Sequence, residues 1–263
     1  MDKNICAQLY TVRDFCKTLS EFAETVKKVA AIGYKTVQVS GIGDIKAEDI
    51  RAVCDEYGVR AVATHRSLDS FLNNFEAEVA FHKTIGSHYA GIGSMPWEYT
   101  RDPYALSDFI KKTAELSKRL YMNELIFTYH NHAAEFAKIN GRFVLDIIAA
   151  STPPECYKFI LDTYWIAFAG VDPAEVIKKY SGRIALMHFK DLAVDPGTNN
   201  VMMAPVGSGN LDWDSIISAS VLSGASYAAV EQDICKGDPF DALAESYNYL
   251  TGQGFNQTVK KFH

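Results

Sequence analysis

No two of the chain's five cysteines (Cys6, Cys16, Cys54, Cys156, Cys235) are spaced Cys-x-x-Cys, and their number is odd. This excludes a zinc ribbon and fits reduced thiols better than a disulfide frame, so all five are read as small packing residues in a cytoplasmic protein. The sequon Asn256-Gln257-Thr258 then has no glycan to accept. No run of about 18 apolar residues occurs, and no long apolar core follows Met1-Asp2-Lys3-Asn4; neither a membrane span nor a secretory signal is expected. Basic residues form no block longer than pairs such as Lys27-Lys28, and 26 Lys and Arg against 32 Asp and Glu leave a formal charge of −6. A polyphosphate backbone would be repelled, so nucleic acid is not an expected partner. No Gly-x-Gly-x-x-Gly opens a helix after the first strand, which counts against a doubly wound dinucleotide-binding sheet. There is no low-complexity linker, and residues 1–263 are read as one domain.

What the sequence does have is an ordinary globular balance, 48% hydrophobic and 22% charged, ample to bury a core. Short β-branched or aromatic runs alternate with longer segments of helical period. Strands are expected at 5–11, 36–40, 61–65, 89–93, 125–130, 158–162, 184–189 and 228–232. Helices are expected at 19–32, 46–57, 71–85, 104–121, 143–150, 173–180, 212–223 and 241–251. Several helices stop at a glycine, as at Gly33, Gly58 and Gly224, where a left-handed residue closes the last turn at little steric cost. Eight βα units with continuously apolar strands predict a single (β/α)8 TIM barrel.

In such a barrel the active site lies at the C-terminal strand ends. Polar residues collect there: Gln8, Gln38, His65, Trp97, the cluster Tyr129-His130-Asn131-His132 with Glu135 beyond it, Asp162, His188 with Lys190-Asp191, and Glu231 with Asp233. The late strands Phe159-Ile160-Leu161-Asp162, Ala185-Leu186-Met187-His188 and Ala229-Val230-Glu231 each end abruptly in a group that is costly to desolvate alone. Crowded carboxylates raise each other's pKa unless a positive charge offsets them, and a divalent cation is the simplest shared partner. Each group taken singly also reads as a helix cap or a loop ion pair. Carboxylate and imidazole donors without thiolate favour Mn²⁺, Mg²⁺ or Co²⁺, with Zn²⁺ also admitted.

The segments Tyr129-His130-Asn131-His132-Ala133-Ala134-Glu135-Phe136, Leu161-Asp162-Thr163-Tyr164-Trp165, His188-Phe189-Lys190-Asp191, Gly207-Ser208-Gly209-Asn210-Leu211-Asp212-Trp213 and Val230-Glu231-Gln232-Asp233 resemble the sugar phosphate isomerase/epimerase family. This is the xylose isomerase-like TIM-barrel superfamily, which also holds inosose dehydratases and the endonuclease IV group. The resemblance runs from Gln8-Leu9-Tyr10-Thr11 to the last helix. It implies one divalent metal held by Glu, Asp, His and Glu at the ends of strands five to eight. Carried over, these are Asp162, His188 and Glu231, with Glu135 reaching back as the first ligand because His130 stands where the epimerase branch has its glutamate. His130 or His132 then acts as an acid/base group or a substrate contact, and an exchange of roles with Glu135 stays open. His65 resembles a substrate contact of the family.

Trp97 reads either as an apolar wall against a sugar ring or as a loop anchor, and Lys190 either as a ligand for a carbonyl or phosphate oxygen or as the partner of Asp191 or Glu231. The Gly207–Asn210 run reads as a ligand approach or a plain turn. The chemistry that uses these residues most fully is proton abstraction next to a carbonyl of a keto-sugar, sugar phosphate or cyclitol, with Glu231 or His130 as base and Glu135 and Lys190 assisting. Returning the proton gives an isomerase or epimerase; losing a β-hydroxyl gives a dehydratase or keto-sugar lyase, which the His-rich fifth strand favours slightly. Gln8, His65, Trp97 and His132 are the expected substrate contacts. A non-catalytic sugar-binding barrel and an endonuclease IV-like phosphodiesterase are the rivals; the second needs more histidine ligands and a basic surface. A homo-oligomer is compatible with the sequence.

Overall fold

The apolar runs become the staves of a barrel because each must bury both faces, one against the barrel interior and one against a helix. The computed structural model describes residues 4–100 and 102–255; Asn256, with its sequon, and His263 lie outside them. Eight strands form the barrel: β1 (Ile5–Gln8), β2 (Thr36–Val39), β3 (Arg60–Arg66), β4 (Tyr89–Ile92), β5 (Ile126–His130), β6 (Tyr157–Asp162), β7 (Ile184–Phe189) and β8 (Tyr227–Val230). Each pairs in parallel with the next, and β8 closes on β1 through Ala7 opposite Val230. The single TIM barrel is as expected.

Among the described residues ten α-helices surround it: α1 (Leu19–Ile32), α2 (Ala47–Glu56), α3 (Leu68–Asn73), α4 (Phe75–Ile85), α5 (Pro103–Met122), α6 (Val144–Ser151), α7 (Thr163–Phe168), α8 (Pro173–Lys179), α9 (Trp213–Ser223) and α10 (Pro239–Gly252). Three begin with the same device: Asp102, Asp172 and Asp238 cap the first backbone N–H groups, and a proline follows where no N–H is needed. Among the described residues no helix is long and apolar enough to cross a membrane.

Four local features depart from expectation. The first strand stops at Gln8, whose side chain accepts from Tyr10 N at 3.2 Å and turns Leu9–Phe15 into a 3-10 segment. The helix expected over 71–85 is two helices broken at Asn74, where φ is −129°. The short α7 follows β6 directly, and an antiparallel hairpin pairs Asp191–Val194 with Val201–Ala204. All five cysteines are free, four of them buried.

Strand periodicity places the site. Cys6, Ala63, Ile160, Leu186 and Ala229 pack together inside the barrel. Two residues further along each strand the same face recurs, at Gln8, His65, Asp162, His188 and Glu231. Polar groups thus lie directly above an apolar plug.

Candidate metal centre at the barrel mouth

Four buried residues, His130, Asp162, His188 and Glu231, bring one potential ligand atom each to within 4.8 Å of one another, the one such group among the described residues. His130 Nε2 lies 3.2 Å from Asp162 Oδ2, and His188 Nδ1 lies 2.8 Å from Glu231 Oε2 and 3.9 Å from Asp162 Oδ2. Asp162 has a double duty: its Oδ1 accepts from Trp165 N at 3.0 Å, capping α7, which leaves Oδ2 for the group.

The outer nitrogens of both histidines fix their tautomers. His130 Nδ1 sits 2.8 Å from Gly93 O, and His188 Nε2 sits 2.8 Å from Gln38 Oε1. Oxygens of this kind only accept, so those nitrogens carry the protons, and in the neutral rings His130 Nε2 and His188 Nδ1 turn lone pairs inward. A lone pair facing a carboxylate is repulsive unless a proton or a metal cation lies between; at His130 burial opposes the extra proton, yet the hydrogen bond to Asp162 and its charge raise the pKa. The donor set therefore fits a divalent ion.

Lys190 is the resident cation, 1% exposed. Its Nζ lies 3.1 Å from Asp162 Oδ2, 2.9 Å from Glu231 Oε2 and 3.1 Å from Asp233 Oδ2. Burial opposes its charge, but the three carboxylates raise its pKa. Burial likewise opposes the charges of Glu231 and Asp162, yet Lys190 holds Glu231 well below the usual carboxylate range and Asp162 below it. Asp233, desolvated beside Glu231, is pushed up to about 6. Three carboxylates less one ammonium leave a charge of −2, which a divalent ion would neutralise.

A cavity of about 220 Å³ opens above the group, lined among others by His65, His130, His132, Lys190, Glu231 and Asp233. His65 stacks on His130 with ring centroids 5.2 Å apart; burial, then His130 and His188, hold its pKa well below the ordinary value. The His132 ring lies 4.7 Å from that of His130 and 5.1 Å from that of Trp165, and burial followed by His130 lowers its pKa to about 3.

The structure does not bring Glu135 and Trp97 to this mouth, and Gln8, although in the polar layer beside Gln38, does not line the cavity. Glu135 is captured by Tyr129: its Oε1 accepts from the Tyr129 hydroxyl and its Oε2 from His132 N at 2.7 Å. Tyr129 faces the helices, packing on Phe109, so Glu135 folds over the outer side of β5 and lines a separate, largely apolar cavity of about 350 Å³. Gln8 is fully buried beneath the mouth, and Trp97 is 72% exposed. Gln38 and Asp233, noted in the sequence only as strand-end polar residues, have positions that matter. Their strand faces could have signalled this, since Asp233 repeats Glu231 after two residues.

Residues 26–224 match the model of the xylose isomerase-like TIM barrel. The chain belongs to that family. It is 23% identical over 197 residues to an inosose dehydratase of Geobacillus kaustophilus, a match covering 65% of this chain and 62% of that protein, less than two thirds of its length. A sugar phosphate isomerase/epimerase from Parabacteroides distasonis superposes with a TM-score of 0.78 at 21% identity, over 97% of this chain and 96% of that one. A xylose isomerase-like TIM barrel protein from Mycobacterium smegmatis in complex with magnesium gives 0.69 at 14% identity, with 95% of each chain covered.

Proposed function

We propose that this family member is a divalent-metal-dependent enzyme that removes a proton next to a carbonyl of a keto-sugar or cyclitol, in the isomerase/epimerase or dehydratase class. The observation that carries the reading is the pair of histidines whose outer nitrogens are tied to Gly93 O and Gln38 Oε1, so that both inner nitrogens face carboxylates. His130, Asp162, His188 and Glu231 would hold the ion, His130 taking the place expected of Glu135. A bound ion, Mn²⁺, Mg²⁺, Co²⁺ or Zn²⁺ by its donors, would polarise the substrate's oxygens as a Lewis acid.

The residues of the chain supply the rest. The Lys190 ammonium faces the cavity and stabilises negative charge growing on the carbonyl oxygen. Glu231 and His132 both line the cavity and would take and return the proton. Glu135 acts through His132, holding its backbone N–H, and His65 packs beside His130 as a substrate contact. The apolar plug beneath keeps water from entering from below.

The dehydratase outcome has one observation in its favour: the end of β5 offers imidazoles, His130 and His132, where two matched carboxylates would serve an epimerase. The Geobacillus relative's name agrees with it. Incubating the metal-loaded protein with ketoses and inososes in D₂O tests the reading by NMR. Deuterium at the carbon beside the carbonyl supports it, and loss of a hydroxyl selects dehydration; no exchange on any substrate, with no metal retained, overturns it in favour of a sugar-binding barrel.

A further inference from the structure

Lys190 Nζ contacts the same two oxygens, Asp162 Oδ2 and Glu231 Oε2, that face the inner nitrogens of His130 and His188. An ion drawing on those oxygens meets a positive charge already about 3 Å from each. The ammonium has a third partner outside the four-residue group, Asp233 Oδ2 at 3.1 Å. Asp233 Oδ1, by contrast, is buried with no hydrogen-bond partner among the described residues. His188 Nδ1 and Glu231 Oε2 also make no hydrogen bond, but both are already paired by charge within the group, 2.8 Å from one another. His130 and His188 are held by Gly93 and Gln38, and Asp162 by the cap of α7.

Resting on the metal reading above, we infer that Lys190 is a tethered cation that competes with the divalent ion for Asp162 and Glu231, and that Asp233 is the positioning residue to which it is handed over. Without an ion the ammonium offsets the buried carboxylates of Asp162 and Glu231 and the partly exposed one of Asp233, and keeps them compatible with the fold. When an ion binds, like charge drives the ammonium off the two shared oxygens. Its long stem is anchored where it leaves the backbone, Lys190 N donating to Thr163 Oγ1 at 3.0 Å, so only the head needs to move. Asp233, with an unpaired oxygen, receives it and keeps it at the mouth. The chain thus limits its own metal affinity in exchange for a stable ion-free state, and keeps a cation beside the substrate.

The test is Mn²⁺ binding, read by the loss of the free-ion EPR signal, on the wild type, Asp162→Ala, Lys190→Met, Asp233→Asn and the Lys190→Met/Asp233→Asn double variant, with thermal unfolding in chelator alongside. Lys190→Met is expected to bind Mn²⁺ tighter by about tenfold or more, the scale of removing one like charge a few ångströms away. In chelator it is expected to unfold at a lower temperature than the wild type. Asp233→Asn is expected to weaken Mn²⁺ binding in the wild-type background and to have little effect once Lys190 is gone, a coupling that a simple charge effect would not show. Unchanged or weaker binding by Lys190→Met overturns the competition, and equal losses from Asp233→Asn in both backgrounds overturn the hand-over. If Lys190→Met does not fold in chelator, refolding it with Mn²⁺ supplies the same comparison. Mn²⁺ held by the wild type and lost in Asp162→Ala keeps the metal reading whatever Lys190 does; no binding by any protein removes both.

Discussion

Asp191 Oδ2 accepts a hydrogen bond from the indole Nε1 of Trp213 at 2.6 Å, joining two segments whose resemblance to the family was visible in sequence but whose contact was not. The same carboxylate accepts from Gly207 N, Gly209 N and Leu211 N and from its own neighbour Leu192 N. The Gly207–Asn210 run is therefore a turn wrapped on a buried anion. A side chain at Gly209 would stand 2.4 Å from Asp191 Oδ1, which is why glycine is needed there.

Asp191→Ala is accordingly expected to destabilise the protein by about 3 to 5 kcal/mol, since the buried Trp213 indole and four part-buried backbone donors lose their acceptor at once. Urea unfolding would measure it, with limited proteolysis of 195–212 locating the loss; a change below about 1 kcal/mol would show that water replaces the carboxylate adequately.

Removing the Asp162 carboxyl should abolish metal retention. Asp162→Ala also loses the α7 cap, costing about 1 kcal/mol, whereas Asp162→Asn keeps an acceptor for Trp165 N. Elemental analysis should find a near-stoichiometric ion in the wild type and none in either variant, and activity should fall by more than about 100-fold in both. Metal retained at wild-type level would remove Asp162 from the ligand set.

Glu135→Gln separates the two candidates for the fourth ligand. Its metal content should match the wild type, because its oxygens serve Tyr129 and His132. His130→Ala should lose the ion. The reverse pattern would restore Glu135 to the ligand set.

Away from the mouth, His82 predicts a pH dependence of stability. Its Nδ1–H points to Glu78 O at 2.6 Å and its Nε2 faces Thr64 Oγ1 at 2.7 Å; burial, the largest influence, lowers its pKa from 6.5 to about 4. Between those values the unfolded chain binds the extra proton and the folded one does not. Stability is full above 6.5 and falls as pH drops towards 4, by on the order of 3 kcal/mol. Glu78 is opposed by burial but held below the usual range by Arg66 and Ser70, so it adds its own loss at lower pH still. Denaturant midpoints from pH 7 to 4 should show the slope in the wild type and a flatter one in His82→Gln; parallel curves would acquit His82.

The barrel was legible in sequence because eight apolar runs and their glycine stops repeat faithfully. What was not legible depended on single side chains. Gln8 ends β1 by capping Tyr10 N, and Asn74 breaks a helix whose apolar period continues through it. At the site, Asp162, His188 and Glu231 were visible as costly ends to buried strands. The choice between Glu135 and His130 was hidden, because it turns on which side of β5 a carboxylate folds. Tyr129, pointing outward between inward neighbours, draws Glu135 away from the mouth. Trp97 opens a short 3-10 turn, Trp97–Tyr99, none of whose residues is buried.

The four candidate ligands all come from β5 to the end of β8, while the acceptors that fix the histidine protons come from β2 and the end of β4, Gln38 and Gly93. A polypeptide cut between β4 and β5 would leave every donor on one fragment and both orienting oxygens on the other. Reassembly of such halves and capture of an ion would then be a single linked equilibrium, each drawing the other forward.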